Sequence, residues 1–174
     1  MLRKILLGIL GVMLVASAAL AAPVVDLDKG QSAIGYVYTP LDYDIKSHNY
    51  FFQTALHDKF ILGVEGLRLS NGGSFTMTDF YVQYKLDKNF RLVAGGRDFD
   101  GYETKFVWGA AVKADLDKNA AFYAAYMHNP YWNEYQAGIT YMFSKNAFLD
   151  LSYRRGEFEG VKLDGFGGGL VFRF

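Results

Sequence analysis

The chemistry open to this 174-residue chain rests on three histidines, 18 Lys+Arg, 18 Asp+Glu and no cysteine. Acid–base or nucleophilic catalysis needs a histidine with a carboxylate or a hydroxyl in reach. His48 stands near Asp44 and Ser47, with Asp42 close enough in sequence to join a loop triad. His128 precedes Asn129 and Pro130, and His57 precedes Asp58. None of these spacings assembles a nucleophile, a base and a group to orient it, so no enzyme and no catalytic residue is expected.

The remaining charges form two other sets. Lys85, Arg91, Arg97, Lys105, Lys113, Arg154 and Arg173 fall at the polar positions of alternating segments, as do Glu65, Asp79, Asp115, Glu134 and Asp150. Such a mixture serves either as an internal salt-bridge network or as the lining of a narrow path for small, anionic solutes. Asp42, Asp44, Asp98, Asp100, Glu103, Glu157 and Glu159 gather in the connections between segments. They form a solvated rim, or bridge divalent cations to phosphate, although no ordered calcium-loop spacing is present. No cofactor and no resident metal is expected.

These charges need a frame that places them, and the alternation supplies it. Phe106, Trp108, Ala110, Val112, Ala114 and Leu116 share one face of a strand, opposite Lys105, Val107, Gly109, Ala111, Lys113 and Asp115. Tyr135, Ala137, Ile139, Tyr141 and Phe143 oppose Glu134, Gln136, Gly138 and Thr140, and Phe80, Val82, Tyr84 and Leu86 oppose Asp79, Tyr81, Gln83 and Lys85. The polar set is the sparse, glycine-interrupted one, which fits a crowded interior with apolar residues outside. A one-residue slip would turn the charges into lipid, at roughly 2–4 kcal/mol for a Lys or Arg at mid-bilayer.

A turn recurs along the chain at Asp28-Lys29-Gly30, Asp58-Lys59, Asp87-Lys88-Asn89, Asp117-Lys118-Asn119 and Ser144-Lys145-Asn146, its lysines 30, 29, 30 and 27 residues apart. Short Asp/Asn turns of this kind close tight hairpins. Between them lie the connections Pro40–Lys46, Ser70–Ser74, Asp98–Glu103, Asn129–Asn133 and Gly156–Gly160. Five strand–loop–strand–turn repeats predict an all-β, antiparallel up-and-down transmembrane β-barrel of ten strands, with both termini on one side; eight is the alternative if one hairpin is misread.

Arg3 and Lys4, the apolar run Ile5 to Val15 and Ala19-Leu20-Ala21 have the three parts of a secretory signal, placing the signal peptide at 1–21 and a single domain at 22–174. Without Arg3 and Lys4, 16 Lys+Arg face 18 Asp+Glu, so no basic surface for nucleic acid remains. The absence of cysteine excludes disulfides and a lipidated N-terminal cysteine.

With export signal, repeated hairpins and the closing strand Leu170-Val171-Phe172-Arg173-Phe174 in view, the chain resembles small Gram-negative outer-membrane β-barrel proteins. Leu170, Phe172 and Phe174 look like the alternating apolar and terminal aromatic signal that the barrel-assembly machinery reads in that class. The resemblance implies an outer-membrane location after signal cleavage, and lipid, lipopolysaccharide and that machinery as partners. It leaves subfamily and oligomeric state open. Lipid A deacylases of the class pair their His with a Ser two positions on, where this chain has Pro130 after His128.

Within such a barrel the expected lumen lining is Arg91, Arg97, Lys105, Lys113, Glu65, Asp79, Glu134, Asp150, Gly165, Gly167 and Gly169. The glycines face Ala33, Gly35 and Val37 at the closure seam, which predicts a nearly bare wall opposite the basic one. On that reading Gly167→Arg blocks a path without harming assembly. Outer connections of about five to eight residues are expected. Tyr43, Tyr50, Tyr102, Trp108, Tyr131, Trp132 and Tyr135 are placed in an outer aromatic belt, and Phe60, Phe90, Phe143, Phe148 and Phe174 in an inner one. The functional expectation is a non-enzymatic structural or surface barrel with a side-chain-plugged lumen. A narrow porin-like channel and an outer-rim lipid- or peptide-modifying enzyme are the alternatives.

Overall fold

A computed structural model describes residues 24–158 and 160–174. The signal peptide expected over 1–21, and Glu159 of the acidic rim, lie outside the described residues. Ten strands follow in order: β1 Ser32–Pro40, β2 Lys46–His57, β3 Phe60–Ser70, β4 Ser74–Lys85, β5 Phe90–Phe99, β6 Glu103–Asp115, β7 Ala120–His128, β8 Trp132–Ser144, β9 Ala147–Phe158 and β10 Val161–Arg173. Each pairs antiparallel with its chain neighbours, and β1 pairs with β10, so the sheet is a closed barrel. Ten strands, not eight, close it. The pairing Ala33↔Arg173 puts the start of β1 beside the end of β10, so the strand order begins and finishes at one end of the barrel, called inner below.

The inner turns use the recurrent aspartate as an acceptor for the backbone that follows. The N–H groups of Asn89 and Phe90 donate to the Asp87 carboxylate at 2.7 and 2.8 Å, and those of Asn119 and Ala120 to Asp117 at 2.6 and 2.8 Å. The latter pair holds the Asp117 carboxyl below the usual carboxylate range. Irregularities in register fall beside two other inner turns, near His57 and Ser144, where a bulge can absorb an extra residue. The outer connections are 41–45, 71–73, 100–102, 129–131 and 159–160, shorter than the sequence suggests, because the strands continue to the rim.

Alternation sorts the side chains as a closed sheet requires. Phe80, Phe106, Leu151 and Phe166 point outward with more than half their surface exposed, while Asp79, Val107, Ser152 and Arg154 are buried inside. Two expected belt residues are placed differently. Trp132 is buried at 7% exposure in a cluster with Leu41, Leu67, Met77 and Leu163. Phe148 packs inside against the cluster of Ala33, Phe51 and Val171, its ring beneath the Arg173 guanidinium.

The seam is not an open wall. A Cβ on Gly167 would lie 2.1 Å from the Thr39 hydroxyl and 2.5 Å from the Tyr38 carbonyl oxygen, and one on Gly169 would lie 2.2 Å from the Tyr36 carbonyl oxygen. Over Gly35 the space is taken by the Phe51 ring. These glycines let β10 and β1 approach closely. The expectation that Gly167→Arg leaves assembly intact is therefore replaced. Even Gly167→Ala should destabilise the barrel by about 1–3 kcal/mol, an overpacking cost. Urea titration of the refolded protein, followed by heat-modifiable gel migration, measures it.

Candidate functional site: the barrel interior

The interior is built in layers, beginning at the outer end. Leu41, Leu67, Met77, Trp132 and Leu163 form an apolar cap, with Ile45, Leu69 and Phe99 packed against it. The 41–45 connection folds inward to contribute Leu41, its N–H bonded to the Ile45 carbonyl at 2.8 Å.

Beneath the cap lies a layer of five buried charges from five strands. Arg97 on β5 makes a bidentate pair with Asp79 on β4, at 2.6 Å from Nε and 2.5 Å from Nη2. The same Nη2 reaches Glu134 on β8 at 3.0 Å. Glu134 is shared: its other oxygen is 2.8 Å from Nε of Arg154 on β9. Arg154 in turn contacts Glu65 on β3 at 3.3 Å and the Ser47 hydroxyl on β2 at 3.2 Å. All five charged residues are under 5% exposed. Planar guanidinium forks suit this bridging, since each can engage two carboxylates from opposite walls.

A mostly neutral polar layer follows. Gln53 donates to the Tyr81 hydroxyl at 3.0 Å, and Gln136 to those of Tyr123 and Ser152 at 3.0 and 3.2 Å. The Tyr123 and Ser152 hydroxyls donate to the two oxygens of Asp150 at 2.8 and 2.9 Å. Asp150 is thus satisfied by hydroxyls rather than by a cation at hydrogen-bond distance.

The inner end is closed by the chain itself. Val24 packs among Tyr81, Val93, Val107, Tyr123 and Met127, and Val25 and Leu27 pack against Ala33, Phe51, Ile61 and Val171. Arg91 donates to the Val25 carbonyl at 2.8 Å, Lys85 to that of Leu27, and Arg173 to that of Asp26 at 3.4 Å. The Asp26 carboxylate lies 3.9 Å from Lys85, 3.4 Å from Arg91 and 3.5 Å from Lys113. Four basic side chains of the inner half therefore hold one short segment. Beside it a cavity of about 210 Å³ opens at the inner mouth, lined in part by Asp26, Lys113, Thr140, Phe148 and Arg173.

Of the eleven residues expected to line a lumen, Glu65, Asp79, Arg97 and Glu134 come together in the charge layer, Asp150 lies below it, and Arg91 and Lys113 hold the N-terminal segment. Lys105 is apart, at the outer rim, paired with Glu103 and 5.1 Å above the Tyr131 ring. Gly165, Gly167 and Gly169 line the seam. The sequence reading missed the segment from Val24 to Leu27; of the polar layer it placed Tyr81 and Gln136 on the inward face but did not single out Gln53 or Tyr123. The unbroken Val-Val-Asp-Leu run ahead of the first turn was the available signal for the segment.

The histidines of the catalytic alternative are turned away from the interior. His48 Nδ1 meets the Tyr36 hydroxyl at 2.8 Å on the outer surface, whereas Ser47 points inward to Arg154. His128 Nδ1 meets the Asn133 amide oxygen at 2.7 Å and its ring stacks on Tyr126 beside Trp108. Among the described residues no group of three or more His, Cys, Asp or Glu side chains is arranged to hold a metal.

No protein-family model and no curated protein matches the chain. Among solved structures, the KdgM porin aligns over 82% of this chain and 99% of its own at 7% identity, with a TM-score of 0.52. The N-terminal β-barrel domain of Pseudomonas aeruginosa OprF aligns over 85% of this chain and 100% of its own, at 12% identity and a TM-score of 0.48. The Yersinia pestis outer membrane protein Ail aligns over 84% of this chain and 100% of its own, at 14% identity and a TM-score of 0.45. The fold is similar to that of the KdgM porin, and the resemblance to outer-membrane barrels holds without identifying a subfamily.

Arg97→Met leaves Asp79 buried without its guanidinium and should cost about 3–5 kcal/mol, whereas Arg97→Met with Asp79→Leu should recover most of that loss. Equilibrium urea unfolding of the three proteins in liposomes gives the comparison.

Proposed function

We propose that the protein is a structural or surface barrel of the outer membrane of a Gram-negative bacterium, closed to solutes and without enzymatic activity. The outward apolar band supports a membrane setting, since a closed ladder leaves no unpaired backbone edge for lipid to meet. In this reading residues 1–21 are removed on export and both barrel termini face the periplasm. Leu170 and Phe172 on β10 and Phe174 just after it are exposed, as a signal read by the barrel-assembly machinery must be.

One observation carries the closed state: apolar cap, charge layer, polar layer and N-terminal segment succeed one another along the interior. Every charge of the middle layer is engaged by another, so no side chain there stands free to coordinate a permeating ion. The outward placement of His48 and His128 within aromatic clusters supports the non-enzymatic reading.

A narrow channel is the second reading, favoured by the inner cavity beside Lys113 and Arg173. The KdgM porin is known in complex with disordered oligogalacturonate, a polyanion. In this chain the basic residues of the inner half are instead engaged by Asp26 and by backbone carbonyls. Single-channel recording of refolded 22–174 in a planar bilayer decides between the two. Silence, with heat-modifiable migration proving a folded barrel, is expected; defined conductance steps would overturn the closed reading.

A further inference from the structure

The outward surface of β1 to β4 departs from the rest of the band near its outer end. Its outward strand positions, the even-numbered residues of β1 to β4, carry no acidic side chain and include Lys46, His48 and Arg68; the carboxylates nearest to Lys46 in sequence, Asp42 and Asp44, lie in the connection before it. The register sets Arg68 directly beside His48, and Lys46 beside Ser70. His48 is engaged by Tyr36. Arg68 is exposed and has no ion-pair partner among the described residues. Elsewhere on the outer half, the outward guanidinium of Arg155 is matched within the chain by Asp164 at 3.7 Å.

Directly inward of this basic group the wall of side chains is interrupted. Gly66 sits between Arg68 and Val64 on the outward face of β3, with Tyr50 beside it on β2, and a Cβ placed on it would meet nothing within 4 Å. A groove of about 530 Å³ runs from there across the outside of the barrel, its lining almost wholly apolar: Tyr50, Phe52, Val64, Tyr36, Ile34 and Leu170. An unpaired guanidinium on a lipid-facing surface is costly unless it reaches the headgroup level and finds an anion there. A guanidinium beside an apolar slot is complementary to one molecular shape, a phosphorylated headgroup with an acyl chain beneath it.

We propose that this face is a binding site for one lipopolysaccharide molecule, with a lipid phosphate on Arg68 and Lys46 and an acyl chain in the groove over Gly66. The inference rests on the outer-membrane reading above. Arg68 supplies the bidentate contact, Lys46 adds charge, and Tyr50 and Phe52 flank the chain.

The test uses the refolded mature protein, first shown by heat-modifiable migration to insert into phosphatidylcholine liposomes. Failure to insert would overturn the outer-membrane reading itself. The inserted protein is then extracted in mild detergent, and purified lipopolysaccharide is titrated in while native mass spectrometry counts the lipid bound. One bound molecule is expected, with apparent affinity about tenfold weaker for Arg68→Ala. Gly66→Leu, whose Cβ meets nothing within 4 Å, places a side chain in the groove and should weaken binding as well, while the outward control Lys162→Ala should not. Equal binding by wild type, Arg68→Ala and Gly66→Leu overturns the site while leaving the barrel assignment untouched. Equal affinity for phosphatidylglycerol overturns the commitment to lipopolysaccharide. A protein dimer abolished by Gly66→Leu would make the groove a contact between copies and also overturn the proposal.

Discussion

Closure of the hydrogen-bond ladder between β1 and β10 is the constraint from which the other features follow. Once the sheet is closed, every side chain is committed to one of two environments, and period-two alternation decides which. The seam makes this possible by giving up side chains: Gly165, Gly167 and Gly169 let one strand lie against the backbone of the other. What the seam lacks in side-chain volume, the interior recovers from Phe51, Leu41 and Thr39.

Closure also isolates whatever points inward. Charges cut off from bulk water must pair or remain at a large desolvation cost. Here two guanidinium groups link carboxylates drawn from β3, β4 and β8, so the charge layer ties opposite walls together as well as filling the space between them. The same logic operates at the inner mouth. Lys85, Arg91, Lys113 and Arg173 would crowd one another in an empty opening, and the segment around Asp26 gives them a carboxylate and backbone carbonyls.

Much of this was legible in the sequence because it depends on period and repetition. The aspartate turns at Asp87 and Asp117 recur with the hairpins they close, and the alternation around Asp79, Lys105 and Glu134 separates inside from outside without any knowledge of partners. A connection read as running through Asn133 misplaces Trp132; β8 begins at Trp132, and the alternation that turns Glu134 inward carries Trp132 in with it, against Leu41, Met77 and Leu163. The packing around Gly167 was not legible, for a different physical reason. Whether an inward glycine faces open space or a neighbour's carbonyl depends on strand twist and separation, which no local pattern encodes. The segment from Val24 to Leu27 has no period of its own; its conformation is set by the basic side chains that receive it.

The central claim is that the interior is filled along its length, and the absence of native cysteine makes it directly measurable. Val93 and Val107 are buried in the middle of the barrel, at 3% and 0% exposure, and Phe80 faces outward. Single cysteines at Val93 and Val107 should stay unmodified by a small, charged, water-soluble methanethiosulfonate reagent applied to both sides of the membrane, while a cysteine in the outer connection at Asn71 reacts fully. Rapid modification at Val93 or Val107 in a protein that still migrates as a folded barrel would mean that water and ions reach the middle of the lumen, and the account of a closed interior would fail.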